Sequence, residues 1–369
     1  MMGGRYGFEK KFREQILMCS RCGFCQAVCP LYGLTLRPAL NARGKILVLK
    51  EVMEGKIELN EELGETLFQC TTCAGCTENC PSGVKVPEII VEARRDMARK
   101  GLCHPSFKGM GEILGRCDNI YGEEEAPDFG KARNRKAEYV YFVGCVGSYR
   151  EEEATRDVLK LLDHLGVDYT LIDEVCCSGV LEDVGYQINE DLARKNTERV
   201  LSTGAKTLIT GCPYCLRTFK GKPQYEGLRE RGISIIHISQ FLKDVDLGVR
   251  TKKRVTYHDP CDLGRHSGIY EEPRRTIKGI APNFVEMASH HEKALCCGAG
   301  GGVRAAYARN SIDMARRRLK EAEECNAEVV LTECNSCVHN LLNAKLRKQN
   351  IAIYTTSQFV NRLLEGKEH

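Results

Sequence analysis

Cys19-Ser-Arg-Cys22-Gly-Phe-Cys25-Gln-Ala-Val-Cys29-Pro30 is one of two stretches in this sequence with the spacing C-x2-C-x2-C-x3-C-P. The other is Cys70-Thr-Thr-Cys73-Ala-Gly-Cys76-Thr-Glu-Asn-Cys80-Pro81. In such a pair the first three thiolates of a run wrap three irons of one [4Fe–4S] cubane, and the fourth, just before proline, reaches the other cubane. The spacing therefore assigns Cys19, Cys22, Cys25 and Cys80 to cluster one, and Cys70, Cys73, Cys76 and Cys29 to cluster two. Zinc is the competing use, because C-x2-C pairs build zinc ribbons and two such pairs occur further on. A four-cysteine pattern matched twice decides for cubane clusters in this part of the chain.

Outward from these runs, the composition narrows the setting. There are 21 cysteines in 369 residues, an odd number. Disulfide-dense chains are short and exported, whereas this one is long and its first residues contain no apolar stretch of a secretory signal. Reduced thiols in a cytoplasmic setting point to metal binding or chemistry. The net charge of +4 is too small and dispersed to suggest nucleic acid, and no apolar run approaches the length of a membrane span. A membrane association would have to pass through a partner.

The forty residues between Cys29 and Cys70 carry apolar residues at roughly helical spacing in Lys45–Met53 and Leu63–Phe68. Ile89, Ile90, Val91 and Ala93, after Pro87, suggest a further helix. Residues 1–100 thus read as an α-helical ferredoxin module. Arg43-Gly44-Lys45 is either a helix-starting turn or a functional element. Residues 101–136, rich in glycine and charge, read as a linker. Its Cys103 and Cys117, like Cys325 further on, fall outside every motif and read as structural.

Residues 137–369 alternate strands and helices. Strands are expected at Tyr139–Val143, Tyr169–Ile172, Thr207–Thr210, Val255–His258, Phe284–Met287 and Val329–Leu331. Helices are expected at Glu151–Leu165, Asn189–Leu201, near Arg274–Ile280, and at Ala305–Glu324. Alternating β and α elements imply parallel sheets with helices on both faces and ligand sites at the carboxyl ends of strands. The pattern is duplicated. Cys145 is followed by x30, Cys176-Cys177, x34 and Cys212-x2-Cys215; Cys261 is followed by x34, Cys296-Cys297, x36 and Cys334-x2-Cys337. Each copy ends in a short apolar run and the same tripeptide, Ser239-Gln240-Phe241 and Ser357-Gln358-Phe359. The fold class is therefore α+α/β, with domains expected at 1–100, 137–250 and 251–369.

This cysteine pattern resembles the CCG, or cysteine-rich, domain of the heterodisulfide reductase family. The whole arrangement resembles the D-type subunit of heterodisulfide reductase, and is similar to the iron–sulfur subunits of glycolate oxidase, lactate-utilisation and anaerobic glycerol-3-phosphate dehydrogenase systems. Local matches are His258-Asp-Pro-Cys261-Asp-Leu-Gly-Arg265, Cys296-Cys297-Gly-Ala-Gly-Gly-Gly302 and Gly211-Cys-Pro-Tyr-Cys215. The resemblance implies that the five cysteines of each copy hold a non-cubane [4Fe–4S] cluster, and that the two clusters clamp a substrate disulfide. One would use Cys145, Cys176, Cys177, Cys212 and Cys215; the other Cys261, Cys296, Cys297, Cys334 and Cys337. Neither set is degraded.

Two functions compete. In one, the chain relays electrons through the cubanes to paired sites that reduce a small disulfide or oxidise thiols. In the other, it is the electron-relay subunit of a FAD-dependent 2-hydroxy-acid (glycolate or D-lactate) or glycerol-3-phosphate dehydrogenase complex. A purely structural metal scaffold would not need ferredoxin spacing. No flavin or dinucleotide site is evident, so electrons are expected from a flavoprotein or membrane-cytochrome partner. Gly298, Gly300, Gly301 and Gly302 suit close backbone approach to an anionic cluster. His258, Arg265 and His266 flank Cys261 and either serve a thiol substrate or have local structural roles.

Overall fold

Val140 and Phe142 in one strand alternate with Tyr141 and Val143, and the alternation places the two sets in different buried clusters. That is the period-two signature of a strand covered on both faces. In the computed structural model, which describes residues 5–367, this strand is β1 (Tyr139–Phe142), followed by β2 (Tyr169–Thr170), β3 (Thr207–Thr210) and β4 (Ser234–His237). They form one parallel sheet in the order β2-β1-β3-β4, with Val140 paired to Thr170 and Leu208. A second parallel sheet has the order β5-β6-β7, from β5 (Val255–His258), β6 (Val329–Thr332) and β7 (Ala352–Thr355). Parallel neighbours require crossovers, and helices such as Glu152–His164, Glu190–Ser202 and Glu271–Ile280 supply them.

The two sheets share a core. Tyr141, Val143 and Ile209 from the first, and Val255, Tyr257 and Leu331 from the second, are buried in one apolar cluster with Leu161, Leu162, Phe359 and Val360. The helices Glu152–His164 and Thr356–Leu364, one from each repeat, pack against each other there. Asn361 Nδ2 donates to Asp157 Oδ1 across that contact at 2.7 Å.

The described chain divides into two compact units that cut across the sequence repeats. The first comprises the chain up to Gly111 together with Val180–Gln187 and Glu292–Arg318. The second comprises Glu112–Gly179, Ile188–His291 and the chain from Leu319. Each repeat thus lends the first unit a segment that follows or contains its Cys-Cys pair. The core of the first unit joins Phe8 and Ile16, Ile46 and Leu49, Ile89, Ile90 and Met97 with Phe107 and Val184. The helices that carry most of these residues are Gly7–Met18, Ala42–Met53 and Val86–Arg99.

Three expected elements need correction. Phe284–Met287 is not a strand: only Phe284 bridges to Val255, because Glu286 turns to accept from Arg274 at 2.7 and 3.1 Å. The expected strand Tyr169–Ile172 shortens to two residues. The expected helix Ala305–Glu324 is two helices, Val303–Ala306 and Ala308–Glu324, interrupted at Tyr307. There φ is −133° and ψ 54°, and the ring packs on His104 with centroids 5.1 Å apart. Conversely, the short apolar runs ending each repeat are β4 and β7, and the Ser-Gln-Phe tripeptides lie in the first turn of the helices Ile238–Leu242 and Thr356–Leu364.

Candidate iron–sulfur centres

The two cysteine runs of the first unit adopt the same unusual backbone. In the first, Arg21 and Gly23 have φ of 60° and 88°; at the matching places in the second, Thr72 and Ala74 have φ of 54° and 60°. Three of these four are not glycine, and a left-handed L-residue costs roughly 1–2 kcal/mol. Alternating handedness turns successive N–H groups toward one side and makes an anion-binding concavity. One consequence is visible at Cys22, whose thiol pKa is lowered chiefly by the N–H of Phe24 and then by the Ser20 side chain. Short helices, Phe24–Ala27 and Gly75–Glu78, follow each turn, and Asn79 Nδ2 ties the runs together by donating to Phe24 O at 2.8 Å.

The eight thiols line two recesses. Cys19, Cys22, Cys25 and Cys80 border one of about 400 Å³, with Arg21 and Arg43. Cys29, Cys70, Cys73 and Cys76 border the other, of about 440 Å³, with Lys45. Cys76 lies on both walls. Burial pushes the Cys29 thiol up to about 11, and burial with the neighbouring thiols of Cys70 and Cys73 raises Cys76 well above its ordinary value. Metal ligation is what makes such thiols deprotonate. Lys45 is lowered by burial and held up by Cys70 and Cys29. At least four thiols per recess, amide-lined turns and cations fit thiolate-bound [4Fe–4S] clusters.

The second unit holds eight of the ten repeat cysteines, at the carboxyl ends of strands. Cys145 opens the helix Cys145–Tyr149 just after β1, and Cys212 follows β3 and caps Pro213–Gly221. Cys177 Sγ lies 3.5 Å from Cys215 Sγ. Cys215 N donates to Cys212 Sγ at 3.5 Å. The neighbouring thiols of Cys145 and Cys177 raise the Cys176 pKa well above its ordinary value. All five sulfurs of the first copy therefore converge. S–H groups of Cys176 and Cys215 favour a thiolate on Cys177 and lower its pKa well below the ordinary value. Gly144, at φ 79°, keeps the approach open: a Cβ there would sit 3.2 Å from Cys215 Sγ.

In the second copy, Cys334 follows β6 as the cap of Asn335–Ala344, with Cys337 buried in its first turn. Cys261 lies in the turn after β5. Cys296 and Cys297 belong to the first unit. Their local geometry repeats that of the first copy: Ser178 N donates to Cys176 Sγ and Gly298 N to Cys296 Sγ, each at 3.3 Å. Both donors have positive φ, 55° and 88°.

His258, the last residue of β5, is buried and has a ring nitrogen within 4.8 Å of Cys337 Sγ. Arg265 and His266 are half-buried in the turn after Cys261. The loops of the two sheets meet: Arg217, on the Cys215 helix, pairs with Asp262 at 3.1 Å, and His339 Nδ1 lies 2.7 Å from Glu151 Oε1. Among the outlying thiols, Cys103 is buried beside Tyr186. Cys117 is half-buried beside Arg116, and Cys325 donates to Ala322 O at 3.2 Å.

Sequence reasoning missed Glu174. Its carboxylate accepts from Val143 N at 2.8 Å and Gly144 N at 2.7 Å. It lines a recess of about 400 Å³ with Cys145, Cys176, Tyr149 and Arg133. Burial raises its pKa to about 7. The available signal was an acid two residues before a Cys-Cys pair, easily taken for a solvated loop charge.

Comparison with known proteins agrees with this arrangement. Residues 15–84 match the 4Fe-4S dicluster domain family, and residues 139–220 and 255–342 each match the cysteine-rich domain family. The chain is 32% identical over 364 residues to the D-type subunit of the dihydromethanophenazine:CoB–CoM heterodisulfide reductase of Methanosarcina acetivorans, covering 89% of this chain and 88% of that one. The chain belongs to the family of D-type heterodisulfide reductase subunits. As a member of that family it is an iron–sulfur protein of oxidoreductase type, with a ferredoxin-like N-terminal domain and two cysteine-rich domains. Another relative is the B-type subunit of the fumarate reductase (CoM/CoB) of Methanothermobacter marburgensis, 30% identical over 90% of this chain and 68% of its own. A further one is EtfAB:quinone oxidoreductase of Syntrophomonas wolfei, 26% identical over 87% of this chain and 54% of its own. A Helicobacter pylori protein described as hypothetical shares the fold at TM-score 0.58 and 11% identity, covering 97% of this chain and 72% of that one. Among the described residues, no helix is long and apolar enough to cross a membrane.

Proposed function

We propose that the chain carries two cubane clusters and two non-cubane clusters, and that it reduces a small disulfide with electrons from a flavoprotein or cytochrome partner. The cubane ligands are Cys19, Cys22, Cys25 and Cys80, and Cys70, Cys73, Cys76 and Cys29. The non-cubane ligands are Cys145, Cys176, Cys177, Cys212 and Cys215, and Cys261, Cys296, Cys297, Cys334 and Cys337. One observation carries the reading: both repeats keep a complete five-cysteine set, whereas a relay needs no pair of full sites.

Bound clusters would supply electrons one at a time and iron open to sulfur. The chain's own residues do the rest. Thiols converging at the strand ends fix a rigid donor set, and the Arg217–Asp262 pair joins the loops of the two copies. A disulfide takes up two electrons and two protons to give two thiols, so one turnover draws twice on a one-electron donor. Three relatives named as D-type subunits of heterodisulfide reductase favour this reading. The relay alternative has support in the EtfAB:quinone oxidoreductase relative. In it the same chain only passes electrons from a flavoprotein oxidising a 2-hydroxy acid or glycerol 3-phosphate.

The two are separated by giving the anaerobically purified chain reduced viologen and a mixed disulfide of two small thiols. Viologen oxidation coupled to release of both thiols is expected. Full cluster content with no thiol release, together with flavin-dependent 2-hydroxy-acid oxidation in a co-purified complex, would establish the relay.

A further inference from the structure

Arg43-Gly44-Lys45 forms the first turn of the helix Ala42–Met53, which Asn41 caps by accepting from Gly44 N at 2.9 Å. Gly44 is needed there: a Cβ would come within 2.0 Å of Pro38 O, so only glycine lets this turn press against the short helix Pro38–Leu40. That close approach directs the flanking cations to different places. Arg43 borders the recess of Cys19, Cys22, Cys25 and Cys80, where it is half-buried and donates to Arg21 O at 3.5 Å. Lys45 borders the recess of Cys29, Cys70, Cys73 and Cys76, where it is 2% exposed and its Nζ donates to Leu40 O. A buried ammonium is costly unless negative charge compensates it, and the four cysteines of that recess would supply the matching charge as cluster-bound thiolates.

We infer that this turn sets the relative reduction potentials of the two cubane sites, Lys45 acting as a non-ligand positioning cation that raises the potential of the site at Cys29, Cys70, Cys73 and Cys76. The inference rests on the cubane assignment above. An electron added to a thiolate-bound cluster adds negative charge, and a nearby cation stabilises the reduced form. The buried cation acts through a low effective dielectric, while Arg43 works partly through water and is screened. A unit charge about 10 Å away at an effective dielectric near 20 changes an equilibrium constant roughly tenfold. For a one-electron couple that is about 59 mV.

The test is an EPR-monitored redox titration of the full anaerobic chain, wild type against K45M, K45R and R43M. K45M is expected to move one cubane midpoint negative by about 59 mV, roughly tenfold in its reduction equilibrium, and to leave the other unmoved. R43M should move the other midpoint, by less. If K45M loses four irons instead, K45R should restore them, since it keeps the charge. Unchanged midpoints in K45M, equal shifts of both, or failure of K45R to restore a lost cluster would overturn the inference. Failure of the underlying assignment looks different: the wild-type chain would itself lack two cubane signals.

Discussion

Arg274 is 1% exposed and holds Asp259, itself 3% exposed, through two bonds of 2.7 and 3.0 Å, while its Nε and Nη2 reach Glu286. Asp259 sits between His258 and Cys261, so this fork fixes the turn that presents the first cysteine of the second repeat. Removing one partner of a buried pair strands the other charge, at roughly 3–5 kcal/mol. R274M should therefore lower the urea midpoint of the chain severely, and R274K, without the planar fork, should recover only part of it. His237 makes a different residue-scale case. Its Nδ1 accepts from Ser239 N at 3.2 Å and so needs a neutral ring. Burial lowers its pKa from 6.5 to about 4, against the pull of the carbonyls of Gly211 and Glu333. Between pH 6.5 and 4 the unfolded chain binds the extra proton, so this contribution is complete above pH 6.5 and is lost as pH falls through that window. H237Q should flatten the pH dependence of stability there by up to roughly 3 kcal/mol, read from urea midpoints at several pH values.

At the scale of elements, legibility followed local chemistry. The strand at Thr207–Thr210 was visible as a short apolar run, with Leu208 and Ile209 buried on opposite faces, and the helix Val86–Arg99 because Ile89, Ile90 and Ala93 fall on one buried face. Phe284–Met287 has equally apolar residues at its start and failed because a distant arginine claims Glu286, which no local pattern reveals. The glycines after Cys297 were legible as a close approach, but not what they approach. A Cβ on Gly301 would come within 2.3 Å of Cys70 O, and one on Gly300 within 2.8 Å of Thr71 O. Arg94, fully buried, donates to both Cys70 O at 2.7 Å and Gly301 O at 3.1 Å. The loop therefore braces the second cysteine run. Because Gly301 also has φ 61°, G301A is strained in both backbone and contact. It should cost about four irons per chain, one cubane, as measured by iron and acid-labile sulfide, whereas G248A on an open turn should cost none.

For the whole molecule, repeat counting found two α/β copies, and both sheets and the shared core between them bear out the duplication. What the sequence could not disclose is that Val180–Gln187 and Glu292–Arg318 leave their own repeats to join the first unit. This sorting depends on long-range contacts such as Arg95–Glu182 and Asn310–Gln69, which leave no periodic trace. The sorting has a functional corollary, since the cysteines of the two copies stand in unlike settings although they follow in the same order. If both copies must act together on one disulfide, C177S and C297S should each abolish thiol release from the mixed disulfide. Neither should abolish electron uptake by the cubanes, so the chain should still bleach on reduction and re-oxidise with a one-electron dye at wild-type amplitude for those centres. Iron should fall from about sixteen to about twelve in each variant. A chain in which C177S kills thiol release and C297S leaves it intact would contain one working site, and the second copy would then serve architecture or relay.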